Sequence, residues 1–320
     1  LFLCKSWKKK MIPENQTSGS DFILLGLLCS FHTSLVFSSL FIIFILTVIE
    51  NALLILLIHR DSSIHSPVYF LLSYLSFMDI LHISNIIPKM ITNFLSGTRT
   101  ITFADCGFQV FLSLVLLGSE GLLLMSMSYD RYMAICFPLH YSIHMNRRVC
   151  VLMILGSWAM GVVNSCAHTV YVLRMPYCQS RAINHFFCDI PAMLTLACGD
   201  TWVYEYIVFF STIIFVLLPF MVIVGSYGKV LLAVYHMRSR EGRKKAYSTC
   251  SAHLTVVTFY YVPFAYTYLR PKSFRSPAED KVVAVFYTIL TPVLNPVIYS
   301  LRNKEVVGAL RRVTRKFCFT

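Results

Sequence analysis

The chain has 320 residues, of which 57% are hydrophobic and only 13% charged, where an ordinary soluble domain carries about a quarter charged residues. A chain this apolar cannot keep a wet surface, so a soluble enzyme or binding module is excluded and the bilayer is its solvent. The formal net charge of +13 invites a nucleic-acid partner, but no basic stripe with interleaved aromatics stands on a polar background; the cations read as flanks of membrane spans, and nucleic acid is not an expected partner.

In chain order, Lys5, Lys8, Lys9 and Lys10 come first, then Met11; without those four lysines the charge falls from +13 to +9. Residues 1–10 are expected to be an upstream extension, since no apolar core follows the lysines directly as a signal peptide would require. Asn15-Gln16-Thr17 is a glycosylation acceptor in a polar segment.

A helix needs about 20 apolar residues to cross the hydrocarbon core. Seven stretches qualify: 35–58, 68–88, 106–133, 149–172, 203–227, 247–269 and 282–301. The expected fold is an all-α membrane protein, a seven-transmembrane helix bundle over 35–301, with a polar segment 1–34 before it and a tail 302–320 carrying a short amphipathic eighth helix. Connections are short except 173–202. Basic residues cluster after span three (Arg147, Arg148), after span five (Arg238, Arg240, Arg243, Lys244, Lys245) and in the tail (Arg302, Lys304, Arg311, Arg312, Arg315, Lys316). All three lie on one side, so that side is expected to be cytoplasmic and the amino terminus outside, in the plasma membrane with lipid around the spans. The loop holding Arg270, Lys272 and Arg275 obeys the rule imperfectly.

Of 11 cysteines, Cys106 opens span three at the outer face, and Cys178, Cys188 and Cys198 lie in the long outer loop. Four cysteines allow three pairings. A bond from Cys106 is expected, to tie the loop over a cavity; mid-loop Cys188 is the favoured partner, leaving Cys178 with Cys198 to close a smaller loop. Cys136, Cys150, Cys166 and Cys250 fall in or beside spans and are expected to be buried thiols, and Cys318 stands near the tail end. His185, Cys188 and Asp189 have metal-ligand spacing, but an oxidised Cys188 has no thiolate to give, so no metal is expected there.

Ionisable groups at mid-bilayer are costly and need a reason. Asp79 sits midway along span two and Glu120 midway along span three, with Asn51 and Asn295 in spans one and seven. Two acids and amides at similar depth suit a sodium ion, because hard cations prefer oxygen ligands; a hydrogen-bond network is the plainer reading. Asp130-Arg131-Tyr132 ends span three, where the carboxylate is expected to hold the guanidinium in an ion pair. Pro219 and Pro263 interrupt spans five and six, and Pro292, Asn295-Pro296 and Tyr299 mark span seven; each proline removes a backbone donor and favours a kink.

Several ordered stretches carry a resemblance: His65-Ser66-Pro67-Val68-Tyr69-Phe70, Leu75-Ser76-Phe77-Met78-Asp79, Met127-Ser128-Tyr129-Asp130-Arg131-Tyr132-Met133-Ala134-Ile135-Cys136, Lys245-Ala246-Tyr247-Ser248-Thr249-Cys250-Ser251-Ala252-His253 and Pro292-Val293-Leu294-Asn295-Pro296-Val297-Ile298-Tyr299. In this order the chain resembles the olfactory receptor family of rhodopsin-like G-protein-coupled receptors from Met11 to about Phe317. It departs from the family pattern at Glu50, Val68, Ser128, Tyr247, Ala252 and Tyr261. The resemblance implies the Cys106–Cys188 bond and coupling to a stimulatory, olfactory-type G protein that raises cyclic AMP.

Ligand is then expected between spans three, five, six and seven, in the cavity a helix bundle offers. The expected wall is Ser113, Leu114, Leu117 and Gly118; Phe210, Ser211 and Thr212; Tyr260, Phe264 and Thr267; Val285 and Thr288. No acid occurs from Gly107 to Ser119, which disfavours cationic amines and suits a small, neutral, largely apolar volatile. Activation is expected to swing span six outward at its basic end, exposing Arg131 with Tyr227 and Tyr299 as new neighbours and His253 at the moving end. Enzyme and transporter readings find no support: there is no His-Glu-x-x-His, no Gly-x-Ser-x-Gly, no phosphate loop and no inverted repeat.

Overall fold

A computed structural model describes residues 21–27, 33–178, 181–199, 202–270, 274, 276–302 and 304–318. Asn15, residues 1–10, Lys272 and Arg275 lie outside the described residues.

Seven long helices form a bundle. They are α1 (Thr33–Arg60), α2 (Pro67–Leu95), α3 (Phe103–Cys136), α4 (Arg147–Arg174), α5 (Trp202–Tyr235), α6 (Arg240–Leu269) and α7, which runs as Pro277–Val285, Phe286–Leu290 and Thr291–Arg302. An amphipathic α8 (Lys304–Cys318) follows. Six of the seven are long and apolar enough to cross a membrane by length and composition; α6 is the other, its apolar stretch preceded by Arg240, Arg243, Lys244 and Lys245.

Every helix outruns the apolar stretch that predicts it, because backbone hydrogen bonding continues past the hydrocarbon edge. Span two shows this most: the expected end at Pro88 is passed, and α2 continues to Leu95. Thr92 Oγ1 donates to Pro88 O at 2.9 Å, the usual i−4 bond of a helical hydroxyl, while the N–H that Pro88 lacks is the one that would have served Ser84 O one turn earlier. In α5 and α7 the expected proline kinks take the form of wide π-type turns, Ile213–Leu217 ahead of Pro219 and Phe286–Leu290 ahead of Pro292.

α3 is the centre of the bundle: 78% of its most apolar window is buried, against 28% for α1, α4 and α5, whose apolar side chains are largely exposed. α3 meets α4 through small residues. A Cβ on Gly161 would stand 2.5 Å from Ser119 Oγ and 2.8 Å from Val115 O, so only glycine permits this approach, a common device between membrane helices. Ser119 Oγ then reaches Ser157 O at 3.1 Å.

One end of the bundle, here the lid end, carries a small sheet absent from the all-α expectation. β1 (Phe22–Leu24) pairs antiparallel with β2 (Thr100–Ile101) and parallel with β3 (Ala182–Ile183). Strands this short fall below what residue patterning can reveal. The opposite end carries the basic clusters and is called the basic end.

Candidate functional site: a lidded cavity above a polar switch

The lid is tied at several points. Cys106 is bonded to Cys188 with Cα atoms 5.5 Å apart, and Cys178 to Cys198 at 5.6 Å. One turn below Cys106, Gln109 Oε1 accepts the Cys188 N–H at 2.8 Å, while its Nε2 donates to Asn85 O at 2.9 Å. Asn85 Nδ2 donates in return to Gln109 O (3.1 Å) and to Ser113 Oγ (2.9 Å). His185, Phe186 and Phe187 stack under the lid with ring centroids 4.7 to 5.0 Å apart. Burial first, then the Lys281 charge, holds the His185 imidazole well below its ordinary range, at about 3. The Cys188 sulfur is spent on the disulfide, which removes it from the metal-spaced trio. Arg270 is paired with Glu279 at 2.7 Å and with Asp280, which neutralises one cation of the loop that breaks the charge rule. Cys150 and Cys250 are buried, but Cys166 is exposed on peripheral α4, against expectation.

Beneath the lid lies a void of about 40 Å3 between α3, α4, α5 and α6. Leu114, Leu117, Gly118, Ser211, Thr212 and Phe264 line it as expected from sequence; Asn164, His168, Ile190, Val208, Phe215 and Tyr268 complete the wall. Six expected wall residues stand elsewhere. Phe210 is 59% exposed: Tyr204, Val208, Ser211 and Thr212 share the inward face of α5, and Phe210 falls on the opposite one. Ser113 turns to Asn85 on α2. The hydroxyls of Thr267 and Thr288 go to backbone carbonyls of their own helices, Pro263 O at 3.0 Å and Ala284 O at 2.7 Å. Tyr260 donates to Leu117 O and, with Tyr261 (to Gly121 O, 2.7 Å), lies behind the cavity floor. Val285 is also outside this wall. Gly121 makes room for both rings: a Cβ there would meet Tyr261 Oη at 3.2 Å and Tyr260 Cε1 at 3.3 Å.

Below the floor is a buried polar layer. Asn295 Nδ2 donates to both oxygens of Asp79, at 3.2 and 3.0 Å. Asn51 Nδ2 donates to Pro292 O at 3.1 Å, using an acceptor at the proline break, while Asn51 Oδ1 is buried without a partner. Glu120 Oε1 lies 3.3 Å from His82 Nδ1, both groups fully enclosed. His82 is a member that sequence reasoning missed, although a lone histidine in an apolar span is itself a signal. Asp79, Glu120 and Asn51 Oδ1 keep free oxygen lone pairs, the donor type a hard cation takes; among the described residues no cluster of three His, Cys, Asp or Glu side chains is shaped as a metal site.

At the basic end the structure corrects the ion-pair expectation. Asp130 accepts the Tyr141 hydroxyl at 2.7 Å, and no Asp130–Arg131 ion pair forms among the described residues. Tyr141 comes from the one-turn helix Tyr141–His144 just after α3, which carries a neutral donor to the carboxylate. Arg131 instead shares a small void with Tyr69, Thr249 and Tyr299, so Tyr299 is already its neighbour. Tyr227 Oη and His253 Nδ1 are 2.7 Å apart, joining α5 to α6. Tyr132 stacks edgewise on Phe137 with Lys229 above its ring. Pro296 lies inside the last segment of α7. Finally, Lys245 of α6 meets Glu305 of α8 at 2.6 Å, and Tyr69 of α2 donates to the other Glu305 oxygen at 2.7 Å.

Comparison with known proteins agrees with this geometry. Residues 39–317 match the family model described as olfactory receptor. The chain is 65% identical to human olfactory receptor 2L3 over 305 residues, 95% of this chain and 97% of that one. Human olfactory receptor 2L8 is equally similar over the same share. Mouse olfactory receptor 2V1 is 50% identical over 299 residues, 93% of this chain and 95% of that protein.

Proposed function

Because the chain belongs to the olfactory receptor family, as a multi-pass membrane receptor for odorants that acts through a G protein, we propose that its ligand is a small, neutral, mostly apolar volatile bound in the cavity under the lid. The observation that carries this reading is the cavity wall: aliphatic and aromatic side chains of α3, α5 and α6 with a few hydroxyls, closed over by a disulfide-tied loop. The void of about 40 Å3 is smaller than the cavity of about 150 Å3 that holds benzene in another protein. Ligand therefore has to enlarge it, and the bundle arrangement with the larger cavity is the one that ligand favours.

In this reading the lid end faces out of the cell and the basic end faces the cytoplasm, supported by the lysines and arginines after α3, after α5 and in the tail. Residues 35–301 form the receptor domain, 1–34 an outer segment glycosylated at Asn15, and 302–320 a cytoplasmic tail. Asp79 and Glu120 oxygens hold a sodium ion, which supplies counter-charge to the two acids. Enlargement of the cavity moves α6 at its basic end and uncovers Arg131, beside Asp130, Tyr132, Tyr227, His253, Asn295, Pro296 and Tyr299, to a stimulatory olfactory-type G protein that raises cyclic AMP.

The test is a panel of volatiles on cells that carry the olfactory G protein and a cyclic AMP reporter, with surface staining alongside. Arg131→Ala is expected to abolish the odorant response while surface staining persists. An unchanged response in that variant overturns the coupling mechanism.

A further inference from the structure

Tyr204, His168 and Ser211 form a line of hydrogen bonds along the cavity wall between α4 and α5. Tyr204 and Ser211 are seven residues apart on one helix, about two turns, so they stand one above the other on the same face. His168 of α4 fits between them, its Nδ1 2.9 Å from Tyr204 Oη and its Nε2 2.9 Å from Ser211 Oγ. His168 and Ser211 line the void; Tyr204 does not.

The direction of this line follows from counting protons. A neutral imidazole has one N–H and one acceptor nitrogen. Tyr204 is fully buried, stacked on Tyr171 and set edgewise to His168. Its hydroxyl proton has no acceptor among the described residues except His168 Nδ1. A buried donor left unpaired costs about 1–3 kcal/mol, so Tyr204 donates to Nδ1. The ring proton is then on Nε2 and goes to Ser211 Oγ. That leaves the Ser211 proton. Its neighbour Thr212 gives its own proton back to Val208 O at 2.7 Å, but Ser211 makes no such backbone bond among the described residues. The Ser211 hydroxyl therefore enters the cavity as a donor, and donors polarised along such a line are strengthened by one another.

Resting on the odorant reading above, we propose that Ser211, oriented by Tyr204 through His168, selects odorants that carry an acceptor oxygen of the ketone, aldehyde or ester class, with the apolar remainder against Leu114, Leu117 and Phe264. Ser211 touches the ligand; Tyr204 is a positioning residue. Without the Tyr204 hydroxyl, His168 is released to carry its proton on Nδ1, and Ser211 turns its own proton to Nε2 and away from the ligand.

The test uses matched sets of linear methyl ketone, secondary alcohol and alkane on surface-stained reporter cells. Ketones are expected to be the most potent of each set. Ser211→Ala is expected to lower ketone potency about tenfold, to the level of the alkane, which corresponds to one hydrogen bond of about 1.4 kcal/mol. Tyr204→Phe is expected to reduce the same preference although it does not touch the ligand, and Ser211→Thr to retain it. Where Tyr204→Phe fails to reach the surface, the Ser211→Ala and Ser211→Thr pair decides. Agonists found without a ketone preference, alcohols outranking their ketones, or a preference that survives Ser211→Ala overturn the inference and leave the odorant reading standing. A surface-expressed wild-type receptor silent to every volatile overturns both.

Discussion

The two ends of the bundle are held together by different kinds of force. At the lid end the Cys106–Cys188 disulfide and Gln109 fix the long loop to α3, Gln109 and Asn85 join α3 to α2, the Cys178–Cys198 disulfide closes the loop on itself, and a three-stranded sheet adds its own hydrogen bonds. At the basic end α6 is held by non-covalent contacts, the packing of buried Ala246, Cys250 and Ala252 together with Tyr227 to His253 and Lys245 to Glu305, the last with side chains 73% and 44% exposed. Covalent closure at one end and only non-covalent contacts at the other favour the proposed motion at the basic end. On the proposed reading, the lid shapes the ligand space and the basic end opens.

The sharpest way to break this comparison is to remove the covalent tie. Cys188→Ser opens a link that spans 82 residues, and loss of a native disulfide typically removes about 2–5 kcal/mol. Surface-exposed, odorant-responsive receptor is expected to fall at least about tenfold, read by staining and by cyclic AMP. Wild-type levels of both would mean the lid is held by the sheet and Gln109 alone. A smaller effect is expected where α3 and α4 touch. Gly161→Val forces side-chain atoms against Ser119 Oγ and the Val115 carbonyl, an overpacking that costs about 1–3 kcal/mol. The thermal midpoint of the purified receptor in detergent is expected to drop by several degrees, with ligand selectivity altered because Gly118 and the cavity lie beside the contact. An unshifted midpoint would show that α4 slides freely.

What sequence could and could not convey divides along the same line. The spans, the acids at mid-depth and the cysteines were legible because a charge or a thiol in an apolar stretch stands out whatever the packing. The rotation of peripheral helices was not. α5 is apolar on both faces, since lipid and core are alike to it, so its sequence does not tell Phe210, which points outward, from Val208, Ser211, Thr212 and Phe215, which face the void. His168 and His82 do carry a signal in the sequence, being lone ionisable groups inside spans. The capture of Asp130 by Tyr141 was not legible, because it depends on where a one-turn helix after α3 places a ring. Sequence adjacency suggested Arg131 as the partner; three-dimensional reach chose Tyr141.

That capture gives the next prediction. The Tyr141 hydroxyl has its ionisation pushed far up, first by burial and then by the Asp130 charge, so it stays protonated and donating at any physiological pH. Tyr141→Phe removes the donor and leaves Asp130 free to turn toward Arg131. Ligand-free cyclic AMP is expected to change about tenfold, the lower end of about 1.5–3 kcal/mol for a hydrogen bond to a charged group. A variant indistinguishable from wild type would reduce Tyr141 to packing.

The weakest contact should yield the smallest shift and is the most direct probe of which end moves. Glu305 bridges Lys245 of α6 and Tyr69 of α2. Its carboxyl lies below the ordinary range, chiefly through the Lys245 hydrogen bond. A lowered value means the contribution is complete above the ordinary carboxylate range and is lost only as pH falls through the lowered one, so acidification to pH 6 leaves the contact intact. Glu305→Gln removes the charge and keeps the shape. Exposed pairs are worth about 0.2–1 kcal/mol, so ligand-free signalling is expected to rise by about 1.4- to 5-fold, and odorant potency to rise by no more than the same factor, since both readouts report one equilibrium. A Glu305→Gln receptor with unchanged basal signalling but altered odorant selectivity would reverse the assignment, placing the mobile element at the lid.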